Sequence, residues 1–205
     1  MISGNVGCIS QIRTPFSGGG GSSVGGGGGR NGNSSNSLTP VSPGNRYLTE
    51  DEKKINATII YNYLRDQRFQ HNAICAILGN MDVESTLNPS KQQDDGYAYG
   101  LVQWDYSRQY LFNYLDSNGY SRDDLFGQLS CLLQQMAITP EVGDTYWNNQ
   151  NVPPGYYMSY DSFRASYDLS VEYLTQVFLW CFEKPSIPHT DWRITAANKW
   201  DIYFS

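Results

Sequence analysis

The sequence predicts a mainly α-helical domain with one small β-hairpin beside a cleft. Apolar residues recur at intervals of three and four over most of the chain after residue 48, as in amphipathic helices. Turn-forming residues concentrate at 86–106 and 139–158, and the first of these stretches is rich in glycine and aromatic residues. We therefore expect six helices, a loop with a short hairpin within 86–106, and an irregular segment at 139–158.

The helix boundaries follow from capping and periodicity. Thr49 and Glu52 have the spacing of a capping box, which starts the first helix. Asn88-Pro89 lies just beyond the second helix, because proline disfavours helical geometry in the residue before it. The predicted helices cover 49–66, 70–85, 107–117, 121–137, 169–183 and the residues after Thr190.

Glu84 lies at the C-terminal end of the second predicted helix and continues its apolar stripe, which consists of Ile74, Ile77, Leu78 and Met81. Partial burial and the negative end of the helix dipole both predict a raised pKa for this carboxyl group. An acid that is still protonated near neutral pH can donate a proton to a leaving glycosidic oxygen. Glu84 is therefore a candidate general acid; the alternative is a solvated acid at a frayed helix end.

A second carboxyl group is needed in many glycosidases. The candidates are Asp94, Asp95 and Asp105, which flank the 100–104 segment, GLVQW. Asp95 is the weakly favoured choice. The alternative is that Asp94-Asp95-Gly96 forms an ordinary turn, since Asp-Gly is a strong turn dipeptide.

Substrate contacts are expected from the same segment. The Gln103 amide can both donate to and accept from a sugar or acetamido group. Alternation along a strand would place Val102 and Trp104 on one face, and Leu101 with Gln103 on the other. Trp104 can therefore pack in the core instead of the cleft. The full set of predicted substrate-binding residues is Ser85, Tyr97, Tyr99, Gln103 and Trp104.

The motif ESTLNP (84–89) followed by GYAYGLVQWDYSR (96–108) resembles the phage tail lysozyme family. The resemblance covers most of residues 46–205, and a closing pattern is similar too: FEKPSIP (182–188), then Arg193, Ala196 and Trp200. It implies a lysozyme-like α+β fold and cleavage of the β-1,4 bonds between MurNAc and GlcNAc in peptidoglycan. It also implies that Glu84 is the catalytic acid.

The resemblance further implies a place in a phage tail. The enzyme would be part of the virion, opening the extracellular Gram-positive cell wall during entry, with peptidoglycan and other tail proteins as partners. The motif does not separate a muramidase from a lytic transglycosylase, nor a tail enzyme from a late-lysis endolysin. Two other classes stay open: a non-catalytic wall carbohydrate-binding module, favoured by the 14% aromatic content, and a peptidase using Cys131 with His189.

Composition divides the chain into three parts. Residues 1–16 are predicted to be a short anchor to other tail proteins, 17–44 a flexible linker rich in Gly, Ser and Pro, and 45–205 the catalytic domain. The net charge is −6, with +3 before residue 48, which leaves −9 for residues 48–205. We expect no nucleic-acid binding, since there is no basic patch. We also expect no signal peptide and no membrane span.

The four cysteines lack the C-x-x-C spacing of zinc sites. Cys75, Cys131 and Cys181 lie among apolar residues of predicted helices, so buried free thiols are expected. No metal and no cofactor is predicted.

Overall fold

The computed structural model describes residues 38–94, 96–137 and 146–205. Seven α-helices and one π-helix form within these ranges, and the predicted mainly α-helical fold class is confirmed. The predicted anchor, 1–16, and most of the predicted linker lie outside the described residues. The helices are α1 (Glu50–Asp66), α2 (His71–Ser85), α3 (Arg108–Ser117), α4 (Leu125–Ala137), α5 (Tyr160–Ala165), α6 (Val171–Phe178), the π-helix (Leu179–Glu183) and α7 (Thr190–Phe204).

The first three helices begin and end within one residue of their predicted bounds. The capping box at α1 is present: the Thr49 side chain accepts from the Glu52 N–H, and the Glu52 carboxylate accepts from the Thr49 N–H. Helix α4 begins four residues later than predicted, where Asp124 Oδ1 accepts from the Gly127 N–H at 2.8 Å. Helix α5 was not predicted; its signal is Ser159, whose side chain caps the first turn.

The predicted hairpin is not confirmed. In the described part of 86–106, two isolated antiparallel bridges pair Tyr99 with Gln92 and with Trp104. Gly100 and Gln103 both have positive φ, 80° and 48°, and they fold the chain into a tight turn. The alternation expected of a strand is therefore not observed: Leu101, Val102 and Trp104 are all buried.

Helix α2 lies at the centre of the domain. It packs against α1, α5, α6 and α7, and most of its residues are buried. This burial extends beyond the predicted stripe to polar residues such as Asn80, whose amide donates to the carbonyl oxygens of Ala76 and Thr175. The helix that carries Glu84 is thus held from several sides.

The end of the predicted linker contacts this domain. Val41 exchanges two hydrogen bonds of 2.8 Å with the side chain of buried Asn56 on α1. Gly44 exchanges hydrogen bonds with Ser90 Oγ at 3.0 and 3.1 Å. These contacts hold the segment that precedes α1 beside the loop that follows α2.

In the part of the chain that the structure describes, no helix is both long enough and apolar enough to cross a membrane.

Helices α2 and α7 approach each other closely at Gly79. A Cβ atom at this position would lie 2.5 Å from Ala197 Cβ and 2.6 Å from the Ala197 backbone nitrogen. Only a residue without a side chain fits between the two helix backbones. This contact sets the distance between α2, which carries Glu84, and α7, which carries Arg193.

Gly79→Ala is expected to lower the free energy of unfolding by roughly 1–3 kcal/mol, because the added methyl group forces α2 and α7 apart. Chemical denaturation of the wild type and of Gly79→Ala measures the difference in the free energy of unfolding. Helix propensity alone predicts the opposite, a gain of about 1 kcal/mol, so a more stable Gly79→Ala variant would contradict the packing argument. Adding Ala197→Gly removes one of the clashing atoms and should restore part of the loss.

Candidate active site

Glu84 occupies the last turn of α2, as predicted. The helix ends at Ser85, because Thr86 and Leu87 adopt left-handed conformations with φ of 56° and 64°. The Glu84 side chain is 19% exposed and lines a cleft of about 1340 Å³. A carboxyl group that is mostly buried yet open to a cleft can meet a substrate while being shielded from bulk water.

The cleft lies between the loop after α2 and the segment around the π-helix. One wall consists of residues from 91–107, including Gln103 and Trp104; the other includes Tyr146, Phe182 and Glu183. Exposed Tyr106 and Tyr47 stand among the lining residues. A smaller depression of about 450 Å³ also borders Glu84, and there Trp192 is 64% exposed and stacks on His189 at 4.4 Å.

Arg193 is the cation that faces Glu84. It lies on α7, and its side chain is only 2% exposed. One guanidinium nitrogen, Nη2, donates to Glu84 Oε1; Nη1 donates to Asn80 Oδ1 at 3.0 Å, and Nε donates to the Pro188 carbonyl at 2.8 Å. Asn80 and Glu84 are four residues apart, so they share one face of α2. The guanidinium thus forms an ion pair with Glu84 and fixes the orientation of its carboxyl group.

Glu183 is the second carboxyl group of the site, and the sequence argument missed it. It is the last residue of the π-helix and lines the same cleft as Glu84. Parts of the residue are exposed, but its Oε1 atom is shut off from solvent and has no hydrogen-bond partner among the described residues. Burial raises the pKa of Glu183 well above its usual range, and the negative charge of Glu84 raises it further, against a smaller opposing effect of Arg193. The sequence did contain a signal for this residue: Glu183 is the glutamate of FEKPSIP (182–188), which belongs to the same closing pattern as Arg193.

The predicted substrate-binding residues are placed differently from one another. Gln103 and Trp104 line the cleft, but both are engaged: Gln103 Nε2 donates to the Lys91 and Gly100 carbonyls, and Trp104 Nε1 donates to Gln135 Oε1 at 2.7 Å. Trp104 is buried, as the alternative interpretation expected. A sugar contact from Gln103 would have to use its amide oxygen, since both amide protons are occupied.

The other three residues lie outside the cleft lining. Ser85 is buried, and its hydroxyl donates to the Leu101 carbonyl at 2.9 Å, which ties α2 to the turn. Tyr99 packs edge-on against Phe112. Tyr97 is exposed and lies 5.8 Å from the Arg108 guanidinium.

The three candidates for the second carboxyl group differ in their positions. Asp94 and Asp105 are exposed residues of the cleft rim. Asp95 lies outside the described residues. Glu183 is therefore the described acid, other than Glu84, that combines cleft lining with a buried oxygen atom.

Cys75, Cys131 and Cys181 are free and buried, as predicted. Burial raises the pKa of Cys131 to about 12, and His189 is exposed and stacked on Trp192. A thiol that is neutral and enclosed is a poor nucleophile, which argues against a Cys131–His189 peptidase.

One group in the described residues has donor atoms that can hold a metal ion: His71, Cys75 and Asp201, with ligand atoms within 4.8 Å of one another. These atoms already form a hydrogen-bonded cluster. His71 Nε2 pairs with Asp201 Oδ1 at 2.7 Å, and His71 Nδ1 pairs with the Tyr61 hydroxyl at 2.8 Å. The cluster joins α1, α2 and α7.

The helical domain with acids in its cleft agrees with the class expected from the motifs, and comparison with known proteins identifies the family. The chain matches the phage tail lysozyme family over residues 55–204 and belongs to it. It is also similar to Morphogenesis protein 1 of Bacillus phage B103, with 36% identity over 161 residues. That match covers 76% of this chain but 41% of the relative, so the chain corresponds to less than half of the relative's length.

The raised pKa of Glu183 predicts a pH-dependent contribution to stability. A carboxyl group that binds its proton more tightly in the folded state contributes stability below its unfolded pKa, near 4.5, and this contribution is lost as the pH rises through the folded pKa. Glu183→Gln, which carries no charge at any pH, should therefore match the wild type near pH 4 and be more stable than it at pH 8. Thermal unfolding across this range measures the difference; a constant offset would contradict burial of the charge.

Proposed function

We propose that this domain hydrolyses the glycan strands of peptidoglycan, as a muramidase that cleaves the β-1,4 bond between MurNAc and GlcNAc. The observation that carries the proposal is Glu84, a largely buried carboxyl group that opens into a cleft and lies within the part of the chain that matches the phage tail lysozyme family. In the proposed reaction Glu84 protonates the glycosidic oxygen as the C1–O bond breaks, and water attacks the anomeric carbon.

The shape around Glu84 supports a polymeric substrate. A glycosidase must hold sugars on both sides of the bond that it cleaves. Glu84 borders both the large cleft and the smaller depression, so an extended strand can pass across it. Exposed Tyr106 and Trp192 supply flat apolar surfaces at the two sides, of the kind that sugar rings stack against.

We further propose that the enzyme is carried in a phage tail and acts on the Gram-positive wall from outside during entry. Family membership and the similarity to a phage morphogenesis protein support this proposal. The acidic composition of residues 48–205 favours delivery by a tether, because a segment of charge −9 is not drawn to an anionic wall by long-range attraction.

Glu84→Gln is expected to reduce the clearing of purified walls by about 10²–10⁴-fold, the usual contribution of a general acid. Glutamine keeps an oxygen that can accept from Arg193, so the buried guanidinium stays partnered and the fold is retained. Binding to walls, measured by pull-down, should persist. Undiminished clearing by the variant would remove Glu84 from the mechanism; a wild type that binds walls without cleaving them would favour the carbohydrate-binding module.

The products distinguish a muramidase from a lytic transglycosylase. Hydrolysis places water on the anomeric carbon, so mass spectrometry of digested peptidoglycan should show reducing muramic ends. A transglycosylase uses the 6-hydroxyl of the sugar and leaves 1,6-anhydro ends, which are lighter by the mass of one water molecule. Digestion with Glu84→Gln alongside the wild type controls for background cleavage, and anhydro ends as the main product would replace hydrolysis with transglycosylation.

A further inference from the structure

His71, Cys75 and Asp201 bring three kinds of metal-binding atom together away from the cleft. One nitrogen, one sulfur and one carboxylate oxygen from these side chains lie within 4.8 Å of one another. His71 Nε2 is 2.7 Å from Asp201 Oδ1 and 3.7 Å from Cys75 Sγ. The three residues lie outside the linings of the cleft and of the smaller depression at Glu84. The proposed glycosidase reaction therefore makes no use of them.

The three donors meet along the contact between α2 and α7. His71, Cys75 and Gly79 are spaced four residues apart, so they share one face of α2. Ala197 and Asp201 are also four residues apart and share one face of α7. Gly79 packs directly against Ala197, and further along the same contact the two donors of α2 reach Asp201. The packing of the two helices therefore fixes the backbones that carry the three donors.

The cluster has a closed end at Cys75 and an open end at the other two residues. Cys75 is fully buried, and it belongs to a small core cluster with Val171 and Ala197. The side chains of His71 and Asp201 are 32% and 36% exposed. An ion can therefore enter from solvent between the imidazole and the carboxylate and reach the buried sulfur. Asp201 lies in the last turn of α7, and its exposed side chain has room to adjust.

Tyr61 is the outer hydrogen-bond partner that a metal-binding histidine usually has. Its hydroxyl lies 2.8 Å from His71 Nδ1, the ring nitrogen that does not face Asp201. The Tyr61 ring stacks on Phe204, with 4.2 Å between the ring centroids, which holds it in place. When Nδ1 carries the ring proton and donates to this hydroxyl, Nε2 presents a lone pair to the cluster.

We propose that His71 Nε2, Cys75 Sγ and Asp201 Oδ1 bind one divalent transition-metal ion, for which zinc is the best match. Thiolate, imidazole and carboxylate are the ligands that zinc takes in proteins, and three of them with one water complete a tetrahedron. Calcium and magnesium prefer sites built from oxygen atoms. The ionised thiol and carboxylate together carry two negative charges, which a divalent ion neutralises. The ion links α2 to α7, the two helices that carry Glu84 and Arg193.

The distances in the cluster are close to those of a tetrahedral zinc site. With ordinary zinc bond lengths, nitrogen and sulfur ligands are about 3.6 Å apart, and nitrogen and oxygen ligands about 3.4 Å. The distance of 3.7 Å between His71 and Cys75 already fits, and Asp201 needs to move back by about 0.7 Å. On binding, Cys75 releases its thiol proton to solvent and the ring proton of His71 resides on Nδ1. Two bonds to the ion replace the hydrogen bond between Nε2 and the carboxylate.

Cobalt(II) is the probe for this site, because a thiolate bound to it gives a charge-transfer band in the near ultraviolet. Titration of the full chain with cobalt chloride should produce this band, saturating at one ion per chain, and zinc chloride should remove it. Cys75→Ser should abolish the band. Asp201→Asn, which can still accept a hydrogen bond from His71, should weaken cobalt binding at least about tenfold. Cys181→Ser, at another buried free thiol, is the matched control and should leave the band unchanged.

Thermal unfolding gives a second readout that does not depend on Cys75→Ser being folded. Zinc at about a hundred times its dissociation constant should raise the unfolding midpoint of the wild type by roughly 5–10 °C, because the ion binds the folded arrangement of α2 and α7. Magnesium should leave the midpoint unchanged. At the same zinc concentration the shift should be smaller in Asp201→Asn, and in Tyr61→Phe, which loses the outer partner of His71.

Three results would overturn the proposal. They are a wild type without the cobalt band, a band that survives Cys75→Ser, and a zinc-induced shift of the unfolding midpoint that is the same in Asp201→Asn as in the wild type. A hydrogen-bonded cluster with no affinity for metal predicts the first result. An ion bound at other residues of the chain predicts the other two.

Discussion

The compensation of one buried cation organises the centre of this domain. Arg193 is almost completely enclosed, and a buried guanidinium is tolerated only when its donors are paired. Its partners come from α2, through Asn80 and Glu84, and from the loop before α7, through the Pro188 carbonyl. The close approach of the two helices at Gly79 brings these groups within reach. The position of Glu84 is thus part of the core of the domain and does not depend on a surface loop.

Two acids and one cation occur together at this end of the cleft. The ion pair with Arg193 fixes the orientation of the Glu84 carboxyl group. Burial raises the pKa of Glu183, and the charge of Glu84 raises it further. The electrostatics of the site therefore depend on all three side chains.

Sequence periodicity was sufficient for most of the helices and for one catalytic candidate. The capping box at Thr49 and the stripe leading to Glu84 are local patterns, and both appear where they were predicted. Glu183 and Arg193 lie about a hundred residues further along the chain, so their meeting with Glu84 depends on how α6 and α7 pack on α2. The π-helix was predicted as a continuous helix, since one extra residue in a turn leaves no clear mark in apolar spacing. The strand-like interpretation of 101–104 did not anticipate the left-handed residue Gln103, which closes a turn instead.

The π-helix makes the length of this segment adjustable. A π-turn holds one residue more than an α-turn, so removing a single residue from 179–182 would let the segment relax into regular α-helix without a break in the chain. Because the extra residue is accommodated within one turn, the residues on both sides of the deletion would stay close to their present positions around the helix axis. Related chains that are one residue shorter in this segment would therefore be expected to keep both the helical core and a side chain in the place of Glu183.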